Sequence, residues 1–355
     1  MAYRVVQWAT GGVGREALRG ILSDPRLELT GALVYDAQKH GKDAGLLCGL
    51  PPAGVLATQS KDAIFALDAD CVCYTPREHD LADVCRLLES GKNVVTTAFL
   101  FHPDSMASGD LRRLELACQR GGSSVHGTGI NPGFVGDELV LALSGLSRRI
   151  DHVKITERAN WSRYGSPRIT FDLVRFGHPP HEAELRNHAH ARVMSDLFLQ
   201  SVGLVAQGIG MCVDGTRTLQ QLDLADREFD LAGHTVRRGT VTGQWYRWQA
   251  LRGGEPVIEV EALWTIGERY PQQWPQPPPG WTVAVKGEPS MQLTFDFDRS
   301  SPTAATIATA MHAVHSIVPL CEAAPGVKTF LGLPLIAGAH TGVGTRMPWG
   351  RRFRH

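Results

Sequence analysis

A short apolar run, Arg4 to Ala9, breaks into Ala9-Thr10-Gly11-Gly12-Val13-Gly14, and Ala17, Leu18, Ile21 and Leu22 then fall on one stripe of a helix. This is a G-x-G-x-x-G turn with Ala in the first place, set between a strand and a helix as the motif requires. Gly11 lets the backbone approach a diphosphate, and Gly14 lets the helix pack closely on the strand. The helix N-terminus that follows offers free N–H groups and partial positive charge to the phosphates. A second apolar run, Leu29 to Tyr35, ends at Asp36. An acid there can accept hydrogen bonds from ribose hydroxyls, which favours NAD, because a 2′-phosphate beside a carboxylate is repelled. Lys39, His40 and Lys42 follow at once and can neutralise that phosphate, so NADP stays open.

The same alternation continues. Ala69–Thr75 reads as a strand stopped by Pro76. Leu81, Val84, Cys85 and Leu88 form a helical stripe closed by Gly91. Asn93–Thr97 is the next strand; Asp104 can cap a helix running to Gly121-Gly122, and Ser124–Gly127 begins another strand. Strand–helix alternation at this spacing predicts an α/β fold, with an N-terminal Rossmann-type parallel sheet covered on both faces.

The second half is patterned differently. Glu182 to Cys212 reads as one long helix. Ile258, Val260, Ala262, Trp264 and Ile266 alternate with polar neighbours, as do Met291, Leu293, Phe295 and Phe297, and Gly253-Gly254 is a hairpin turn. These features predict a C-terminal α+β domain with an open mixed or antiparallel sheet, whose apolar face must be covered by the long helix or by a second subunit. The proline-rich stretch Tyr270–Trp281 reads as a solvated connector, and a last amphipathic helix begins near Ala304. The predicted division is a dinucleotide-binding domain over 1–135, completed by 303–355, and a substrate-binding and dimerisation domain over 136–302.

Lys plus Arg and Asp plus Glu are both 36, so the net charge is zero. That argues against nucleic acid or an anionic membrane as partner. No apolar run approaches a spanning length and no signal peptide is evident at the N-terminus. Seven scattered cysteines read as reduced thiols, which predicts a cytoplasmic protein. His178, His181, His188 and His190 make no compact ligand set, and no metal is predicted.

Taken together, WATGGVG (Trp8–Gly14), YTP (Tyr74–Pro76), GKNVVTTA (Gly91–Ala98), GTGINPGF (Gly127–Phe134), ERANWSRYG (Glu157–Gly165) and APGVKTFLGLP (Ala324–Pro334) resemble the dihydrodipicolinate-reductase-like superfamily, in its branch of 2,4-diaminopentanoate dehydrogenases and NAD(P)H-dependent amine dehydrogenases. The resemblance implies a homodimer formed through the C-terminal sheet. It also implies hydride transfer between nicotinamide and a C=N or C–N centre. It puts Thr10, Gly12 and Val13 at the diphosphate, Thr75 and Pro76 at the ribose, and Thr97, Ala98 and Asn131 around the nicotinamide.

One departure stands out. The family's amine-handling glutamate follows the strand matching Asn93–Thr97, and here Phe99 or Leu100 occupies its place. An apolar side chain cannot activate ammonia. The replacement proton donors suggested by position are His102, in the same loop, and Glu157, at the end of the apparent strand DHVKITE. Phe99, Leu100, Phe134, Trp161, Tyr164 and Phe171 would line an apolar pocket for a small hydrophobic substrate. The alternatives are a carbonyl reductase that needs no ammonia, and a cofactor-binding protein that has lost turnover.

Overall fold

The computed structural model describes residues 2–298, 301 and 303–339; the final stretch of the predicted nucleotide domain, 340–355, lies outside them. In chain order the first half runs β1 (Tyr3–Trp8), α1 (Gly12–Ser23), β2 (Leu27–Leu33), α2 (Ala44–Leu47), β3 (Ala57–Thr58), α3 (Lys61–Ala66), β4 (Cys71–Tyr74), α4 (Leu81–Glu89), β5 (Asn93–Thr96), α5 (Ser108–Gly121) and β6 (Ser124–Gly127). A distorted helical loop, 130–138, leads to α6 (Leu139–Ser144). The second half holds β7 (Arg149–Asn160), α7 (Pro180–Ala183), α8 (Ala189–Gly208), β8 (Gly215–Leu224), β9 (Phe229–Leu231), β10 (His234–Val236), β11 (Val241–Arg252), β12 (Glu255–Thr265), β13 (Gly280–Glu288) and β14 (Met291–Phe295). α9 (Ala304–Glu322) and β15 (Gly326–Lys328) then return to the first half.

The first sheet is parallel throughout, in the order β15-β6-β5-β4-β1-β2-β3. Strand order reverses between β1 and β4, which opens the crevice where such sheets take their ligands. β2 ends two residues before the predicted boundary because Asp36 begins a 3-10 turn, its carboxylate accepting from Gln38 N at 2.9 Å. Asp104 does not cap α5: Ala107 occupies that position, and Asp104 lies in an earlier turn, accepting from Gln207 Nε2.

The second sheet is mixed, in the order β14-β13-β7-β12-β11-β8, with β7 parallel to β12 and every other pair antiparallel. The Gly253-Gly254 turn joins β11 to β12 with both residues at positive φ, 61° and 82°, the conformation that a tight hairpin demands of glycine. The helix predicted from Glu182 to Cys212 is interrupted, and α8 starts afresh at His188, whose Nδ1 accepts from Ala191 N at 2.9 Å. α8 covers the sheet's apolar face, where Phe198 stacks on Trp248 with ring centroids 4.0 Å apart.

The proline-rich stretch is not a solvated connector. Trp274 is buried against Trp245, and Arg158 stacks on Tyr270 while donating to Pro277 O at 2.7 Å. α9 is long and apolar enough to meet the criteria for a membrane span. Its Ala310, Ala313, Val314 and Ile317 instead bury against α1 and the core of the first sheet.

Candidate active site

The glycine turn has the shape its sequence implies. A Cβ on Gly14 would come within 2.1 Å of Ala9 O, so only glycine lets α1 start this close to β1. A Cβ on Gly11 would meet nothing within 4 Å: the turn faces open space. α1 has no side-chain cap and no acid in its first turn, so its positive end is left for an external anion. Ala9 itself sits at φ 74°, which costs a non-glycine residue about 1 kcal/mol, and Gln7 Nε2 holds its carbonyl at 2.8 Å. Lys39 Nζ donates to Thr10 O at 2.8 Å, placing an ammonium on the rim, and Asp36 stands exposed beyond it. These residues fit a dinucleotide.

Thr75 directly follows β4, and two expected pocket residues, Phe99 and Leu100, need correction. The Thr75 hydroxyl is already engaged, accepting from Gln7 Nε2 at 2.8 Å and reaching Trp8 O at 3.2 Å, so it laces β4 to β1 beneath the turn. Phe99 and Leu100 do not line a pocket: both are buried in the core under α4 and α5, and the Phe99 ring stacks on His79 at 4.3 Å. Thr97 and Ala98 remain half-buried at the carboxyl end of β5, and Pro76 follows β4 at the same edge.

A cavity of about 420 Å³ opens in the second half, with Glu157 at its floor and Trp161, Tyr164, Trp281 and Phe297 among its walls. Ala304 and Ala305, the first residues of α9, close one side. Thr306 follows, its methyl 3.7 Å from where a Gly12 Cβ would stand. The first turn of α9 thus lies between this cavity and the glycine turn.

Strand alternation explains the floor. Val153, Ile155 and Glu157 share one face of β7, and the first two are core residues. Trp281 pairs directly opposite Glu157 on β13, and Trp264 lies two residues past its β12 partner, Ala262. Glu157 Oε1 accepts from Trp264 Nε1 at 2.9 Å; Oε2 accepts from Trp281 Nε1 at 3.0 Å and Asn131 Nδ2 at 2.7 Å. Indole and amide N–H groups only donate, so all three partners select the ionised carboxylate. Burial works the other way and is the larger effect, pushing the Glu157 carboxyl above the usual range. The Tyr164 phenol is raised too, by burial first and then by Glu157.

His102 is elsewhere. Its ring packs on α8, where a Cβ on Gly203 would come within 2.6 Å of Nδ1; Nδ1 bonds Ser105 Oγ at 2.6 Å, and Nε2 is buried without a partner. Desolvation lowers its pKa. Being shut away from the cavity, it is not a proton donor there. His102→Phe deletes the bond to the Ser105 hydroxyl, which is exposed and can turn to water, so it should cost about 0.5–1.5 kcal/mol of stability and leave the pH dependence of turnover unchanged, which a pH–rate profile beside a thermal melt checks. Phe171 is a core residue stacked at 4.0 Å under the exposed His234, and Phe134 packs on His312; neither lines the cavity.

Sequence reasoning missed Trp264, Trp281 and the buried group Thr128, Glu138 and His312. Among the described residues no three His, Cys, Asp or Glu side chains converge as metal ligands.

Comparison with known proteins places this geometry. Residues 134–347 match the 2,4-diaminopentanoate dehydrogenase C-terminal domain. The amine dehydrogenase of Streptomyces virginiae is 30% identical over 351 residues, covering 93% of this chain and 96% of that protein. The chain belongs to the amine dehydrogenase and 2,4-diaminopentanoate dehydrogenase family. It is an NAD(P)-dependent oxidoreductase. Within the family, the 2,4-diaminopentanoate dehydrogenase of Acetoanaerobium sticklandii is 24% identical over 350 residues, 91% of this chain and 92% of its own. The solved amine dehydrogenase of Mycobacterium smegmatis shares the fold, with a TM-score of 0.77 at 19% identity over 96% of this chain and 98% of that one.

Proposed function

We propose that this family member transfers hydride between NAD or NADP and a C=N or C–N centre of a hydrophobic substrate held in the Glu157 cavity. The observation that carries the reading is a buried carboxylate, gripped by three neutral donors, at the floor of an aromatic-walled cavity beside α9. When bound, the nicotinamide supplies or accepts the hydride. Glu157 holds the substrate nitrogen: a desolvated carboxylate with neutral partners attracts an ammonium or iminium strongly, and the aromatic faces of Trp161, Tyr164 and Trp281 favour a cation beside them. Its raised proton affinity suits it to take a proton from the amine and return it. The cavity walls exclude water and orient the apolar substituents. Glu157 in this way replaces, from β7, the acid missing after β5.

The core position of Phe99 favours a second reading, reduction of a carbonyl without ammonia. One experiment separates the two. NAD(P)H is mixed with a panel of hydrophobic ketones, with and without ammonium. Oxidation that requires ammonium supports the first reading, and oxidation indifferent to it refutes that reading in favour of the second. A homodimer through the second sheet and a cytoplasmic location complete the proposal; the seven free thiols fit a reducing compartment.

A further inference from the structure

Three buried groups behind the cavity, Thr128, His312 and Glu138, take no part in the chemistry above. The Thr128 hydroxyl lies 2.6 Å from His312 Nδ1, and His312 Nε2 lies 2.9 Å from Glu138 Oε2, while Glu138 Oε1 accepts from Ile336 N at 2.8 Å. Because the carboxylate only accepts, Nε2 carries the proton and Nδ1 takes the hydrogen bond from Thr128. Hydroxyl, imidazole and carboxylate in this order match a nucleophilic triad in outline. Thr128 has no exposed surface, and no substrate reaches it.

The arrangement is better understood by what it grips. Thr128 begins the loop that carries Asn131, and Glu138 ends it. The neighbouring acid, Asp137, ties the same loop to the opposite side, with Oδ2 accepting from Gly133 N and Oδ1 from Ser201 Oγ on α8, both at 2.6 Å. A Cβ on Gly129 would touch the Thr309 methyl at 3.6 Å, one turn before His312 on α9. Thr306, Thr309 and His312 recur at three-residue spacing, so one face of α9 meets the glycine turn, the start of the loop and the Thr128 hydroxyl.

We propose that Thr128, His312 and Glu138 on α9's side, with Asp137 and Ser201 on α8's side, are positioning residues that fix the 128–138 loop so that the Asn131 amide stays on Glu157. The inference rests on Glu157 acting as proposed, but its geometry can be tested separately. Thr128→Val keeps the shape and deletes the hydroxyl. In the cofactor-free protein, the indole N–H resonances of Trp264 and Trp281, which report the Glu157 carboxylate, should shift. Turnover should fall about 10-fold. Thr128→Ser should restore both readouts. Ser201→Ala, which cuts the tether from the other helix, should give the same signature and carries the test if the valine variant does not fold. Unmoved indole resonances with wild-type turnover would overturn the proposal. If the resonances shift while Glu157→Gln keeps full activity, the loop is positioned as proposed and the role given to Glu157 is what fails.

Discussion

Glu157→Gln lowers kcat for amine oxidation or reductive amination by roughly 100-fold or more, the range set by loss of an acid–base group, with little change in NAD(P)H affinity. Glutamine keeps the volume. It cannot hold an ammonium as a carboxylate does, and its NH₂ group must face at least one of the three donors now satisfied by Glu157. That mismatch costs about 1–3 kcal/mol of stability, so a thermal melt and a calorimetric cofactor titration accompany the kinetics. The pH profile gives a second sign. Glu157 must be ionised to hold the nitrogen, and burial raises its pKa. Wild-type kcat/KM therefore falls as pH drops through an apparent pKa above the ordinary glutamate range, and this acidic limb disappears in Glu157→Gln. A glutamine variant with wild-type kcat and the same limb would remove Glu157 from the mechanism.

Gly14→Ala acts on the other half of the site. Its methyl would stand 2.1 Å from Ala9 O, 2.9 Å from Ala9 C and 3.0 Å from Thr75 Oγ1. None of these atoms can retreat without disrupting the lacing among Gln7, Ala9 and Thr75. Overpacking of this kind costs about 1–3 kcal/mol, and the displaced α1 N-terminus withdraws its N–H groups from the diphosphate. NAD(P)H affinity is expected to weaken by about 100-fold, near 2.7 kcal/mol. Calorimetry on folded variant protein checks this; unchanged affinity would show that the dinucleotide does not lie on this turn.

The parts of the molecule that were legible from sequence share a property: the signal was local. The glycine turn, the alternation of β4, α4 and β5, and the Gly253-Gly254 hairpin each follow from spacing and backbone preference within a short window. Glu157 was reachable because DHVKITE reads as a strand that ends in the family's substrate segment. What the sequence concealed depends on pairing between distant strands. The parallel register of β7 with β12 sets Trp264 beside Glu157, and the antiparallel register with β13 sets Trp281 there. No pattern within either strand announces its neighbour. The same holds for Phe99 and Leu100. They directly follow the β5 strand edge, and only the packing of α4 and α5 shows that the core claims them. His102 was misplaced for a related reason, since Gly203 leaves room for its ring on α8.

The most direct measurement is a crystal structure of the protein with NAD(P)H and a hydrophobic amine. The amine nitrogen is predicted to lie within hydrogen-bond distance of a Glu157 oxygen, its apolar group between Trp161, Tyr164 and Trp281, and the diphosphate on the Gly11–Gly14 turn. An amine bound elsewhere, with Glu157 still enclosed by Asn131, Trp264 and Trp281 alone, would contradict the account.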